Sequence, residues 1–197
     1  MNEKRKKYLS WDGYFMGIAF ISSLRSKDPN TRHGACIVNL DNKIIGIGYS
    51  GFPIGCSDDE FPWNRDGELN NTKTPYVVHA ELNAILNSSS NIKGAKMFLY
   101  SEKGYYPCSE CSKAIIQSGI SEVIMATAII GDTDRFIWEP TQRMFKKAKV
   151  KTSIIGFNLL CKDMDIISSE TSLTMRQINI NRKEGKIKTG LNHILKQ

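Results

Sequence analysis

The sequence predicts an α/β protein in which one mixed central sheet carries helices on both faces. Three observations lead there. Two strand-like runs, "GACIVNL" and "KIIGIGYS", flank an Asp-Asn turn and read as an antiparallel hairpin. Downstream, helical and strand patterns alternate, which calls for parallel strand pairs joined by helices packed on the sheet. Apolar residues make up 41% of the 197-residue chain, which suits one globular domain. No run reaches the roughly 18 consecutive apolar residues of a membrane span.

The elements follow in order. Residues 11–25, "WDGYFMGIAFISSLR", are apolar on most sides and read as a buried helix, which "DPN" ends. The hairpin comes next. Residues 51–75, "GFPIGCSDDEFPWNRDGELNNTKTP", are rich in Gly, Pro, Asp and Asn and have no clear period; loops this long in compact domains are often functional. The helix "HAELNAILN" and the polar loop "NSSSN" lead to the strand "KMFLY". The helix "PCSECSKAIIQSG" has Pro at its start and Gly119 as its stop. A strand "EVIMATAII", a short helix "PTQRMFKKA" and a last strand "VKTSIIGF" complete the domain. We therefore divide the chain into a basic N-terminal extension (1–10), the domain (11–157) and a weakly patterned C-terminal extension (158–197).

Charge and cysteines narrow the function. The formal charge is +7, gathered in "KRKK", "KKAKVK" and "NRKEGKIK". Such runs are solvated faces first, but the excess suits phosphate-bearing partners, from a nucleotide to nucleic acid. The charged start "MNEKRKKYLSW" lacks the apolar core of a secretory signal. Five cysteines, an odd count, argue against a disulfide framework. The expected location is the cytoplasm, with the thiols buried, catalytic or metal-bound.

Cys108 and Cys111 stand three apart at a helix start, so both sulfurs can face one ion; alone, the pair is only moderately specific and could also be redox-active or merely buried. The motif "HAE" supplies His79 as a third ligand. Two thiolates and one imidazole leave the fourth position of a zinc ion open for water, the arrangement of a catalytic site. Such an ion lowers the pKa of its water toward about 7, and Glu81, two residues past the histidine, can carry the proton without ligating. H-x-E followed by P-C-x-x-C is the signature of zinc-dependent nucleobase deaminases.

Within that superfamily the chain resembles the deoxycytidylate (dCMP) deaminase family, from about residue 4 to residue 157. The residues that carry the resemblance are "YLSWDGYFMGIAF", "RSKDPN", "GACIVN", "NKIIGIGYSGFPIGCSDD", "YVVHAELNAI", "PCSEC" and "IIQSGI". The resemblance implies a three-layer α/β/α sandwich of the cytidine deaminase type. It implies hydrolysis of dCMP to dUMP and ammonia, feeding thymidylate synthesis, with zinc on His79, Cys108 and Cys111 and Glu81 as proton carrier. It points to Arg25, Ser26, Lys27, Asn39, Ser50 and the Ala80 backbone for substrate, and to Gly55, Cys56, Asp58 and Asp59 for an effector. It also implies a homo-oligomer, such as a hexamer, regulated by dCTP and by dTTP with Mg2+. The chain departs from the family pattern in three places. Ser50 stands in "GYSG" where asparagine is usual, and His33 stands where valine is common. "AIIGDTD", with Ile129 and Ile130, lacks the family's tyrosine; Tyr105 or Tyr106 would have to replace it. Two other readings stay open: a deaminase of another cytosine or adenine substrate, including nucleic acid, and a catalytically weakened nucleotide-binding regulatory homologue.

Overall fold

A computed structural model describes residues 3–103, 107–127 and 135–155. Its elements are α1 (Trp11–Ser23), β1 (His33–Val38), β2 (Ile44–Tyr49), a 3-10 turn (Leu69–Asn71), α2 (Ala80–Leu86), β3 (Lys96–Ser101), α3 (Ser109–Gln117), β4 (Glu122–Thr127), α4 (Arg135–Ala148) and β5 (Lys151–Ile155). The sheet order is β2-β1-β3-β4-β5. β1 runs antiparallel to β2 and β3, and β3, β4 and β5 are parallel. The expected mixed sheet is thus in place.

Alternation along the strands builds two cores. Ala35, Ile37, Met97, Leu99, Val123 and Met125 pack with Ile115 of α3 and Phe145 of α4 on one face. Cys36, Val38, Phe98, Tyr100, Ile124 and Ala126 pack with Phe15 and Met16 of α1 on the other. Ser10 caps α1 by accepting from the Gly13 amide at 3.0 Å. α2 lies so close to β2 that a Cβ on Gly48 would fall 2.3 Å from the Ala80 carbonyl oxygen. Gly119, just past the end of α3, has φ +78 and provides the stop expected of it.

Two elements differ from expectation. α4 begins five residues before "PTQRMFKKA" and runs through Pro140. A proline there forfeits one backbone bond near the first turn, and the remainder of the helix packs against α3 and the sheet. The stretch after β2 is not formless. Its ends are tied by paired bonds between Gly51 and Val78, at 3.1 and 2.8 Å, so it closes on itself as a compact loop. Inside, Phe52 packs on Trp63 with ring centroids 4.2 Å apart, and Phe61 packs on Tyr76 at 5.2 Å. Tyr105, Tyr106, Ile129, Ile130, Cys161 and residues 158–197 lie outside the described residues.

Candidate metal centre

His79 is the N-cap residue of α2 and Cys108 that of α3. The extended backbone at a cap turns each side chain back over the helix start, so both reach the same end of the sheet. Cys108 Sγ accepts from the Cys111 amide at 3.4 Å, which fixes the turn between the two sulfurs. His79 Nδ1 lies 3.5 Å from Cys108 Sγ and 3.4 Å from Cys111 Sγ. A tetrahedral zinc ion with Zn–S of about 2.3 Å and Zn–N of about 2.0–2.1 Å needs N···S separations of about 3.5 Å. The donor set therefore fits zinc in both chemistry and spacing. Among the described residues, no other group of three such donors converges. Cys111 is buried, Cys108 half-buried and His79 exposed, so the cluster is closed behind and open in front.

Electrostatics supports the same picture. The Cys108 thiol is pulled down to about 3, first by its hydrogen bond with Cys111 and then by His79, against the opposing effect of burial. The same bond, together with burial, pushes Cys111 up. His79 rises to about 8 because it bonds to Cys108. The opposed shifts make Cys108 the readier thiolate of the pair, beside an imidazole that favours its charge, a place where a divalent cation would replace the protons. Glu81 is only 6% exposed, and burial raises its carboxyl above the usual range. It adds to the upward push on the Cys111 thiol but is not one of the three convergent donors. A buried carboxyl of raised pKa beside a metal site can both take and return a proton.

The other residues expected at the site divide. Ser26 and Ser50 are buried together, with hydroxyls 3.1 Å apart and Ser26 Oγ donating to the Ser50 carbonyl at 2.6 Å. Arg25 is exposed, its guanidinium 5.9 Å from the Tyr49 ring centroid. Lys27 is also exposed and pairs with Asp58 at 2.5 Å, joining the segment expected to meet substrate to the loop expected to meet an effector. In that loop Gly55 has φ +89, the Cys56 amide donates to the Pro53 carbonyl, and the Asp59 amide donates to Ser57 Oγ. Asn39 is not brought to the site. It lies beyond β1 at the end remote from His33, where its side chain accepts from the Asp41 and Lys43 amides and closes the hairpin turn. Its amide is spent on local backbone, a common role for asparagine in turns.

Sequence reading missed the partnership of Asp28 with Lys73. Asp28 and Lys73 form an ion pair in which the Asp28 side chain is 3% exposed. Asp28 also accepts from the Asn30 and Thr31 amides at 2.8 and 3.3 Å. The "DPN" turn signalled the local bonds, whereas nothing signalled a lysine 45 positions away. His33 opens β1 opposite Ser101, and strand parity puts both on the α2 face. Burial, and next the charge of His79, lowers His33 to about 4.

Over residues 9–127 the chain matches the model of the cytidine and deoxycytidylate deaminase zinc-binding region. It is 48% identical to the deoxycytidylate deaminase of Homo sapiens over 177 residues, covering 86% of this chain and 94% of the relative. It is 44% identical to a probable deoxycytidylate deaminase of Drosophila melanogaster over 153 residues, covering 74% and 70%. The dCMP deaminase of cyanophage S-TIM5, in complex with dCMP and dUMP, shares its architecture. The TM-score is 0.54 at 25% identity, over 72% of this chain and 94% of that one.

Proposed function

Because the chain belongs to the cytidine and deoxycytidylate deaminase family, we propose that it hydrolyses dCMP to dUMP and ammonia. The observation that carries the reading is the convergence of His79, Cys108 and Cys111 beside the buried, non-ligating Glu81. The names and the extent of the curated relatives support dCMP as the substrate.

Zinc on His79, Cys108 and Cys111 would lower the pKa of a water in the open position toward about 7. Glu81 would carry one proton of the attacking water to N3 as the water oxygen bonds C4 of the cytosine, then pass the second proton from the new C4 hydroxyl to the amino group as the C4–N bond breaks and ammonia leaves. Burial raises the Glu81 pKa, which favours the protonated form that must return the proton. The Ala80 backbone meets the base. Ser26 and Ser50 line the pocket, and the exposed cations Arg25 and Lys27 meet the 5′-phosphate. A buried acid poised for proton transfer favours turnover over a purely regulatory homologue.

We carry the regulation by dCTP, and by dTTP with Mg2+, as part of this reading, with Gly55, Cys56, Asp58 and Asp59 as the effector-facing residues. The ion pair between Lys27 and Asp58 supports it, since it gives that loop a direct hold on the substrate segment. Family resemblance supports a homo-oligomer working in the cytoplasm.

The test is ammonia release from dCMP, CMP, dCTP and deoxycytidine, with zinc measured on the same protein. We expect about one zinc per chain, lost in Cys108→Ala, and far better use of dCMP than of deoxycytidine. Activity without zinc would overturn the metal mechanism; equal use of the nucleoside would overturn the substrate.

A further inference from the structure

Behind the ligand loop, a fully buried pair of hydroxyls links α3 to α4. Thr141 Oγ1 donates to the Pro107 carbonyl at 3.0 Å. Ser112 Oγ lies 3.0 Å from Thr141 Oγ1 and 2.8 Å from the Cys108 carbonyl. Both side chains belong to residues that are 0% exposed. A serine bonding back to the carbonyl four residues earlier is ordinary helix decoration. Less ordinary is the partner from α4, which continues the chain to Pro107, the residue just before the cap.

The Pro107 carbonyl lies outside the hydrogen-bond ladder of α3, whose first carbonyl is that of Cys108, bonded to the Ser112 amide at 2.9 Å. Pro107 is itself buried, so its carbonyl needs a protein donor. The peptide joining Pro107 to Cys108 sets the direction in which the Cys108 side chain leaves the backbone. With both of its flanking carbonyls held, that peptide has one orientation, and Cys108 Sγ is kept 3.5 Å from His79 Nδ1. We propose that Thr141, acting with Ser112, is a positioning residue for the metal centre: it holds the Pro107–Cys108 peptide so that the Cys108 sulfur stays at ligating distance. Neither hydroxyl touches the donor atoms, so the role is indirect, as in the hydrogen-bond shells that orient metal ligands. The inference rests on the metal-centre reading above, and not on which nucleotide is the substrate.

The experiment follows zinc release from the purified holoenzyme into a colorimetric chelator, together with kcat and KM for dCMP and thermal stability. The variants are Thr141→Val, Thr141→Ser and Ser112→Ala. Thr141→Val keeps the shape and removes the donor; it should release zinc at least tenfold faster and lower kcat with KM unchanged. Thr141→Ser should restore both. Ser112→Ala, which leaves the bond from Thr141 to Pro107, should speed release only several-fold. Wild-type protein that holds zinc, with a Thr141→Val variant that releases it at the wild-type rate, overturns the proposal even if stability falls. Should Thr141→Val not fold, an unchanged release rate in Ser112→Ala overturns it instead. Wild-type protein that binds no zinc sinks the metal-centre reading itself, and the inference with it.

Discussion

The metal centre and the loop of residues 51–78 meet where Val78 gives way to His79, yet they are held by different means. The ligands sit on helix caps. Their positions follow from backbone geometry and from the core packed behind α2 and α3. The loop has one short turn of regular structure. It is held by aromatic contacts, by the Trp63 indole donating to the Asp58 carbonyl at 2.9 Å, by Asn30 donating to the Trp63 carbonyl at 3.0 Å, and by the ion pair of Lys73 with Asp28. Removing one group from the first region should therefore change chemistry and leave the fold alone. Removing one group from the second should change the fold and reach chemistry only through position.

The largest expected effect lies at the centre. Glu81→Gln keeps the volume and the burial but cannot cycle a proton. Turnover should fall by about 100-fold or more, the low end of general acid–base contributions. Zinc content and thermal midpoint should stay near wild type. A large drop in stability with little loss of turnover would erase the contrast, because Glu81 would then be a structural group.

The matching test in the loop is Lys73→Met. It strands the Asp28 carboxylate, 3% exposed, without its cation and leaves it on the Asn30 and Thr31 amides. Breaking a buried pair from one side costs about 3 kcal/mol or more. Lys27→Met, at a pair whose side chains are 54% and 33% exposed, should cost below about 1 kcal/mol. Urea unfolding of the two variants checks this. Equal losses would mean that the loop is not anchored at Lys73 but shares its attachment evenly.

The same contrast explains what could be read from the chain. "HAE" and "PCSEC" were legible because ligand spacing and helix starts are local features, each written within five residues. The two-sided core was legible because period-2 and helical patterns report which faces are covered. The ion pair of Asp28 with Lys73 was not, because it joins segments 45 positions apart and its lysine lies in a stretch without a period. Nor was Thr141, whose hydroxyl gains a role only once α4 packs on α3. Asn39 misled for the opposite reason: its neighbourhood resembles a substrate-binding family segment, but the side chain satisfies a turn. The pattern "PTQRMFKKA" marks only the later part of the last helix, whereas α4 begins at Arg135 and holds Pro140 inside it.

His33 gives the smallest effect, and it touches both regions: its titration is biased by His79 of the centre and by Asp28 and Lys73 of the loop's anchor. Burial is the main cause of its lowered value, about 4 against an ordinary 6.5. Between those two values the unfolded chain binds a proton that the folded chain refuses. Stability is therefore full above about pH 6.5 and declines as the pH falls toward 4. One pKa unit is worth about 1.4 kcal/mol, so the total is about 3 kcal/mol at most, and partial solvation brings it to about 1–3 kcal/mol. Carboxylates and zinc loss add their own acid sensitivity, so the readout is a difference between proteins. Urea unfolding of wild type and His33→Val at pH 7.5 and pH 5 should show the wild type losing more on acidification. Parallel losses would mean that the imidazole finds compensation in the folded protein. In that case the anchor beside the metal centre, rather than solvent exclusion, would govern the charge at this end of the sheet.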